Sequence, residues 1–305
     1  MDVVTAFAPG STSNLGPGFD CLGLAFTGKG DRVTARRMSR QGVRVVACSD
    51  PRLPLDADKN TAAIAAQAVL MRASPSIGVE LSVDKGLPLA GGMGGSAASA
   101  VAGAVAVDAL LAAKLGPDEL LACALQAEAV VAGRHLDNVA PSLFGGAVLI
   151  SGVEPPVVTR IAVNPALELV FVTPAYEVRT ATARAALPEH VRRGDAVAQA
   201  GHLGRLLIGL ERGDPELLRS CMEDRIAEPA RLVFYPGFRE ARAAALAVGA
   251  YGACISGAGP TALALCPPPS VARVGEAMAA AYAEHRYDAV VHVARVDTRG
   301  ARVVE

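Results

Sequence analysis

Pro88-Leu89-Ala90-Gly91-Gly92-Met93-Gly94-Gly95-Ser96-Ala97-Ala98-Ser99 places four glycines within five residues and runs directly into an alanine-rich segment. Glycine takes positive φ without penalty and lets another group approach the main chain closely. Successive N–H groups can then face one concavity. At the start of a helix, that concavity meets the positive end of the macrodipole and becomes an anion site. The stretch therefore reads as a phosphate-holding loop with Ser96 at its lip, and a close-packed glycine turn is the bland alternative. The Walker pattern fails because no Lys follows the glycines. The dinucleotide pattern G-x-G-x-x-A fits 92–97 only loosely. Leu87-Pro88-Leu89 separates the loop from the preceding strand, and the acid in range, Asp108, lies inside the helical segment.

Composition narrows the class. A chain of 305 residues has room for two domains with proper cores. With 29 basic and 30 acidic residues and no basic run carrying aromatics, nucleic acid is not the expected partner. The six cysteines are scattered without C-x-x-C, against a structural zinc site or a secreted disulfide framework. The most lipid-like run, 96–113, carries Asp108 and is mostly Ala and Gly, so a buried helix of a soluble protein is the better reading. Met1-Asp2-Val3-Val4 shows no export signal, and a cytoplasmic protein is expected.

Outward from the loop, 77–84 alternates as a half-buried strand that feeds it, and 60–73 is a helix with Asn60 as N-cap. Strands are expected over 3–8, 21–26, 31–35 and 42–48. The first should end at Pro9-Gly10, and the turn-rich 11–20 forms a shaped loop bracketed by Asn14 and Asp20. These two residues either cap their own turns or line a site. The helix after the glycines should run 96–114 and close at Gly116. A second should start at Pro117 and reach about Ala132. Glu128 near its C-terminus opposes the dipole: it is either a surface residue or faces a metal. Gly133-Arg134-His135-Leu136-Asp137-Asn138-Val139-Ala140-Pro141 crowds polar side chains on one loop, either structural or lining a site.

A strand at 147–151 follows, with a domain boundary near 153–163. Beyond it come a strand at 167–173, a helical turn at 180–188, helices at 195–211 and 214–224, a break at 228–231 and a helix at 237–248. Strands at 250–255 and 261–266 enclose a second glycine turn, before a helix at 271–285 and a strand at 288–296. The β-α-β-β-α-β sense of this half suggests a ferredoxin-like layer. His202, among leucines, reads as a structural histidine.

Three motifs carry a family resemblance. Pro9-Gly10-Ser11-Thr12-Ser13-Asn14-Leu15-Gly16-Pro17-Gly18-Phe19-Asp20 resembles the first motif of the GHMP small-molecule kinases, in their homoserine kinase branch. The loop at 88–99 resembles the second, and Tyr251-Gly252-Ala253 through Ser256-Gly257-Ala258-Gly259-Pro260-Thr261 the third. His135-Leu136-Asp137-Asn138-Val139-Ala140-Pro141 and Glu228-Pro229-Ala230-Arg231 are similar to stretches specific to that branch. One position departs: the family loop usually reads Gly-Leu-Gly-Ser-Ser-Ala, and Gly95 stands in place of its first Ser.

The resemblance implies an α+β protein with a ribosomal protein S5 domain 2-like N-terminal domain (1–155), a ferredoxin-like C-terminal domain (156–305) and a site between them. ATP would contact Pro88, Leu89, Ala90, Gly91, Gly92, Met93, Gly94, Gly95, Ser96, Ala97 and Ala98, its phosphates on 91–96, with Asn60 and Pro88 towards the nucleoside. Mg2+ would be held by Ser96 and Glu128 with the phosphates. The acceptor would be L-homoserine, giving O-phospho-L-homoserine on the route to threonine. Arg184 and Arg231 would clamp its carboxylate. Asp20 and Asp137 would meet its ammonium or orient its hydroxyl, while Asn14, His135 and Asn138 supply neutral hydrogen bonds. Asp20, Asn138 and Arg184 are the residues placed closest to catalysis, with no side-chain base expected, and the protein would be a homodimer. The alternatives are a GHMP kinase for another small alcohol such as mevalonate, a non-catalytic relative, and the NAD-dependent enzyme set aside above.

Overall fold

The computed structural model describes residues 2–73, 77–131 and 133–304. The first half contains β1 (Val3–Asn14), β2 (Gly18–Met38), β3 (Gly42–Cys48), α1 (Thr61–Ala73), β4 (Gly78–Asp84), α2 (Gly95–Leu111), α3 (Pro117–Val131), α4 (Val139–Phe144), β5 (Ala147–Val153) and β6 (Pro156–Ile161). Asn60 caps α1 as expected, its Oδ1 accepting from the N–H groups of Ala62 and Ala63 at 3.1 and 3.3 Å. Helix α2 is buried along most of its length, and its small residues allow that. A Cβ on Gly103 would lie 2.5 Å from the Ala62 carbonyl oxygen, so glycine there lets α1 and α2 touch backbone to backbone.

The second half contains β7 (Glu168–Pro174), α5 (Thr180–Ala185), α6 (Arg193–Arg212), α7 (Pro215–Arg219), α8 (Ala227–Arg231), α9 (Phe238–Ala247), β8 (Gly252–Ile255), β9 (Ala262–Cys266), α10 (Val271–Glu284), β10 (Ala289–Ala294) and β11 (Arg302–Val303). Its antiparallel sheet has the order β10-β7-β9-β8. With α9 before β8 and α10 before β10, this is the ferredoxin-like arrangement. Val170, Val172, Ala262 and Ala264 pack with Phe238, Val274 and Met278 on one face. Leu169, Phe171, Leu263 and Leu265 on the other face join the core of the first half, where Phe26 and Phe171 lie 4.5 Å apart between ring centroids. The architecture is α+β, in two layered halves sharing apolar contact.

The chain departs from the sequence reading at several places. Strand β1 does not stop at Pro9-Gly10; its pairing with β2 shifts register there and continues to Asn14. A proline lacks only its own donor, and a bulge absorbs the loss. The runs at 21–26 and 31–35 belong to one long β2, which pairs with β5 through 22–24 and with β4 through 32–38. Gly28, at φ 88°, lies between them. Helix α2 ends at Leu111, with Ala112 left-handed, and not near Gly116. Residues 139–144 form α4, and α7 stops at Arg219, short of 224. The break at 228–231 is the helix α8. Ala132, the expected end of α3, lies outside the described residues.

The first sheet runs β11-β1-β2-β4-β3, with β5 on β2 and β6 on β5. The sheet therefore changes after Ile161, while a division at 155/156 stays a proposal, with β6 and β11 as the strands that pair across it. His202 is structural: its Nδ1 lies 3.1 Å from the Glu223 carbonyl oxygen. No helix among the described residues is long and apolar enough to cross a membrane.

Candidate active site

A cleft of about 330 Å³ opens between the halves, with the glycine loop as its floor. Gly92 and Gly94 hold φ of 71° and 67°, which only glycine adopts freely. Both are also pressed from outside. A Cβ on Gly92 would lie 2.3 Å from the Ser256 carbonyl oxygen, and one on Gly94 2.1 Å from Ser11 Oγ. The loop is thus gripped between β1 and the second glycine turn. Ser11 N donates to the Met93 carbonyl at 3.2 Å, and Ser256 Oγ donates to the Gly92 carbonyl at 2.6 Å. Helix α2 begins at Gly95 with no side-chain cap and no acid in its first turn. The N–H of Ala98 already bonds the Gly94 carbonyl, and the donors before it, at the helix N-terminus, have no intrahelical partner. Met93, Ala97 and Ala98 are buried in the core, so their side chains lie off the cleft wall.

Glu128, on α3, reaches the cleft beside Ser96 and is 4% exposed. Its Oε2 is buried without a hydrogen-bond partner. Burial pushes its pKa up to about 7, while a hydrogen bond with Ser96 works the other way. An unpartnered carboxylate oxygen beside a hydroxyl, at the lip of an anion site, fits a hard divalent cation. Among the described residues no cluster of three or more His, Cys, Asp or Glu could hold a metal. A cation here would take two protein oxygens and complete its shell from phosphate and water.

Beneath the loop lies a buried lysine outside the quoted motifs. Lys85 Nζ donates to Asp31 Oδ2 and to the Gly95 carbonyl, both at 2.5 Å, and to Ser99 Oγ at 3.1 Å. Asp31 also accepts from Ser99 Oγ and from the N–H groups of Gly86 and Leu87. This buried ion pair ties the end of β4 to the first turns of α2, with the lysine lining the cleft. A Cβ on Gly95 would lie 3.0 Å from Lys85 Nζ, so the lysine crowds the place of the missing Ser side chain. The visible signal is position: Lys85 directly follows the strand that feeds the loop.

At the other end of the cleft, Asp20 and Arg184 form a bidentate pair at 2.8 and 2.9 Å, joining the two halves. That bond also raises the Arg184 pKa, and Arg184 Nε is buried without a partner. His135 Nδ1 lies 3.8 Å from Asp20; burial lowers its pKa against the pull of that carboxylate, favouring the neutral ring. Asp137 is buried close by, its pKa pushed up to about 6 by desolvation and then by the charge of Asp20. Arg231 Nε donates to the Ala183 carbonyl at 2.8 Å, and both arginines sit over the Phe19 ring, at 5.1 Å for Arg231 and 5.9 Å for Arg184.

The expected neutral contacts lie at the cleft but are committed elsewhere. Asn14 donates to the Gly257 carbonyl and accepts from the Asp20 N–H, both at 3.0 Å. Asn138 bonds Ser11 and Ser13. Asn60, besides capping α1, donates to the Pro54 carbonyl at 2.9 Å. These amides hold the walls together: the 14–20 turn to the glycine turn at 256–260, the 135–138 loop to β1, and the 53–54 segment to α1.

An anion-holding loop with a carboxylate–hydroxyl pair at one end, and an arginine–carboxylate cluster at the other, defines an enzyme that transfers phosphate from a nucleotide to a small charged acceptor. The chain belongs to the GHMP kinase family: the family descriptions "GHMP kinases N terminal domain" and "GHMP kinases C terminal" match residues 60–146 and 206–284. Within it, the chain is 40% identical over 303 residues to a homoserine kinase of Xanthomonas campestris, covering 98% of this chain and 93% of that protein. It is 39% identical to a homoserine kinase of Arabidopsis thaliana over 99% of this chain and 84% of the plant protein. A crystal structure of a homoserine kinase from Cytophaga hutchinsonii superposes with a TM-score of 0.95 at 38% identity, covering 100% and 98% of the two chains. An L. major mevalonate kinase, at 18% identity and a TM-score of 0.71, shares the fold.

Proposed function

We propose that this chain phosphorylates the side-chain hydroxyl of L-homoserine with ATP, giving O-phospho-L-homoserine and ADP, a step towards threonine. The observation that carries the reading is the Asp20–Arg184 pair beside Arg231. A zwitterionic amino acid offers each partner a replacement: its ammonium for Asp20, its carboxylate for Arg184 and Arg231. Mevalonate has a carboxylate and no ammonium, and would leave Asp20 unpaired.

The nucleotide phosphates rest on the open N–H groups of the loop and of the first turn of α2, above the Lys85 ammonium. Ser96 and Glu128 would hold Mg2+, whose bound charge would neutralise the phosphates. The acceptor oxygen forms a bond to the γ-phosphorus as the bridging bond to ADP breaks, and the hydroxyl proton leaves to phosphate or water. The protein's part is mainly position and charge. His135 and Asp137 line the cleft and would orient the acceptor's polar groups. The homodimer rests on the resemblance alone.

ADP release from Mg-ATP, measured against L-homoserine, L-serine, L-threonine, mevalonate and no acceptor, tests the assignment. Turnover selective for L-homoserine is expected, and turnover with mevalonate instead would overturn it. Asp20→Asn separates clamp from base. Losing one charge-assisted contact should raise the KM for L-homoserine about 10- to 100-fold while kcat stays within a few fold. A kcat loss of about 10²–10⁴-fold at unchanged KM would make Asp20 the general base instead.

A further inference from the structure

Outside every motif quoted above, Gln199 on α6 is a buried amide with each polar atom engaged. Its Nε2 donates to the Pro17 carbonyl at 3.0 Å and to Asp224 Oδ1 at 3.1 Å, and its Oε1 accepts from the Arg225 N–H at 2.8 Å. Pro17 lies in the turn between Asn14 and Asp20. Asp224 caps α8: Oδ1 accepts from the N–H groups of Ile226 and Ala227 at 2.8 and 2.9 Å, and Oδ2 from that of Glu228 at 3.0 Å. Helix α8 ends on Arg231, and Arg231 Nε bonds the carbonyl of Ala183, the residue before Arg184. A chain of hydrogen bonds and short backbone links therefore runs from the turn that carries Asp20, through Gln199 and Asp224, to both arginines.

We infer that Gln199 is a positioning residue for the acceptor half of the cleft: with Asp224 it sets where Arg231, and through Ala183 also Arg184, stand relative to Asp20. The physical reason is rigidity. The Asp20–Arg184 pair must open to admit a zwitterion, so it cannot itself hold the two halves in register. The Gln199 bonds touch no reacting group and persist when that pair opens. A buried amide is costly unless all its bonds are made, and a helix needing only packing here would carry an apolar side chain. This inference rests on the reading that Arg184 and Arg231 hold the acceptor.

The test pairs kinetics with hydrogen exchange on the full chain. Gln199→Met keeps length and removes every polar bond. Its KM for L-homoserine should rise about 10-fold, with the KM for ATP within about 2-fold of the parent. Asp224→Asn, which sets a donor against the Glu228 N–H, should move the same constant in the same direction and decides the matter if Gln199→Met does not fold. Amides over 226–231 and 183–184 should exchange faster in the variants, and those of 88–96 should not. Unchanged KM values and exchange, or equal rises in both KM values with a matching fall in Tm, would overturn the inference. If the parent itself ignores L-homoserine, the acceptor assignment fails, and the exchange pattern still decides whether Gln199 positions the arginines.

Discussion

Glu128→Gln should give a protein that melts several degrees above its parent at pH 8 without nucleotide, yet has lost about 10²–10³-fold of its activity. The two effects share a cause. Glu128 is buried, and its Oε2 has no partner. Desolvation lifts its pKa from an ordinary 4.5 to about 7. The fold therefore prefers the protonated acid. Below pH 4.5 the group is neutral folded and unfolded and costs nothing. Between pH 4.5 and about 7 the unfolded chain loses the proton first, and stability falls. Above pH 7 the loss is complete, of order 3 kcal/mol for such a shift. A neutral amide removes that penalty, so variant and parent should converge in Tm as the pH falls towards 4.5. Mg-ATP should reverse the ranking at pH 8, raising the Tm of the parent by more than that of the variant, because only a carboxylate gains from a cation. A variant less stable than the parent at pH 8, or stabilised equally by Mg-ATP, would count against a cation at Glu128. Thermal melts across pH with and without Mg-ATP supply both readouts.

Arg184→Lys should lower kcat/KM for L-homoserine about 10²-fold and leave the KM for ATP unchanged. The substitution keeps the charge and removes the planar fork that makes two parallel bonds to a carboxylate. The fork grips Asp20 at 2.8 and 2.9 Å; with acceptor bound, the same fork would face the acceptor's carboxylate beside Arg231. A lysine would serve neither partner bidentately, and Arg184→Leu would leave Asp20 without its counter-charge as well. Steady-state kinetics with each substrate varied in turn decides the point. An equal rise in both KM values would place Arg184 in the joint between the halves and outside the acceptor site.

Much of the site could be read locally. Glycines at 92 and 94, an asparagine ahead of a helix, and an acid out of place near a helix C-terminus each signal through φ, capping or dipole. Those effects act within a few residues, and the structure places all four at the cleft wall. The second half was legible for the same reason, since its alternation of strands and helices is a local pattern. Where local rules misled, a neighbour had altered the balance. β1 passes through Pro9-Gly10 because β2 supplies partners on the far side of the bulge, and 228–231 forms a helix because the Asp224 side chain satisfies its first N–H groups.

What no pattern announced are bonds between residues far apart in the chain. Lys85 belongs to no quoted motif, and it is Asp31, 54 residues away, that holds it beneath the loop. Asp20 and Arg184, each legible as a binding residue, turn out to hold one another across 164 residues. Gln199 carried no motif at all, and its bond to Pro17 spans 182 residues. Residue type and spacing, through backbone sterics and helix electrostatics, specified the elements and the anion loop. Which buried charges meet depended on how the two layered halves pack, since a buried donor or acceptor must find its partner wherever close packing brings one within about 3 Å.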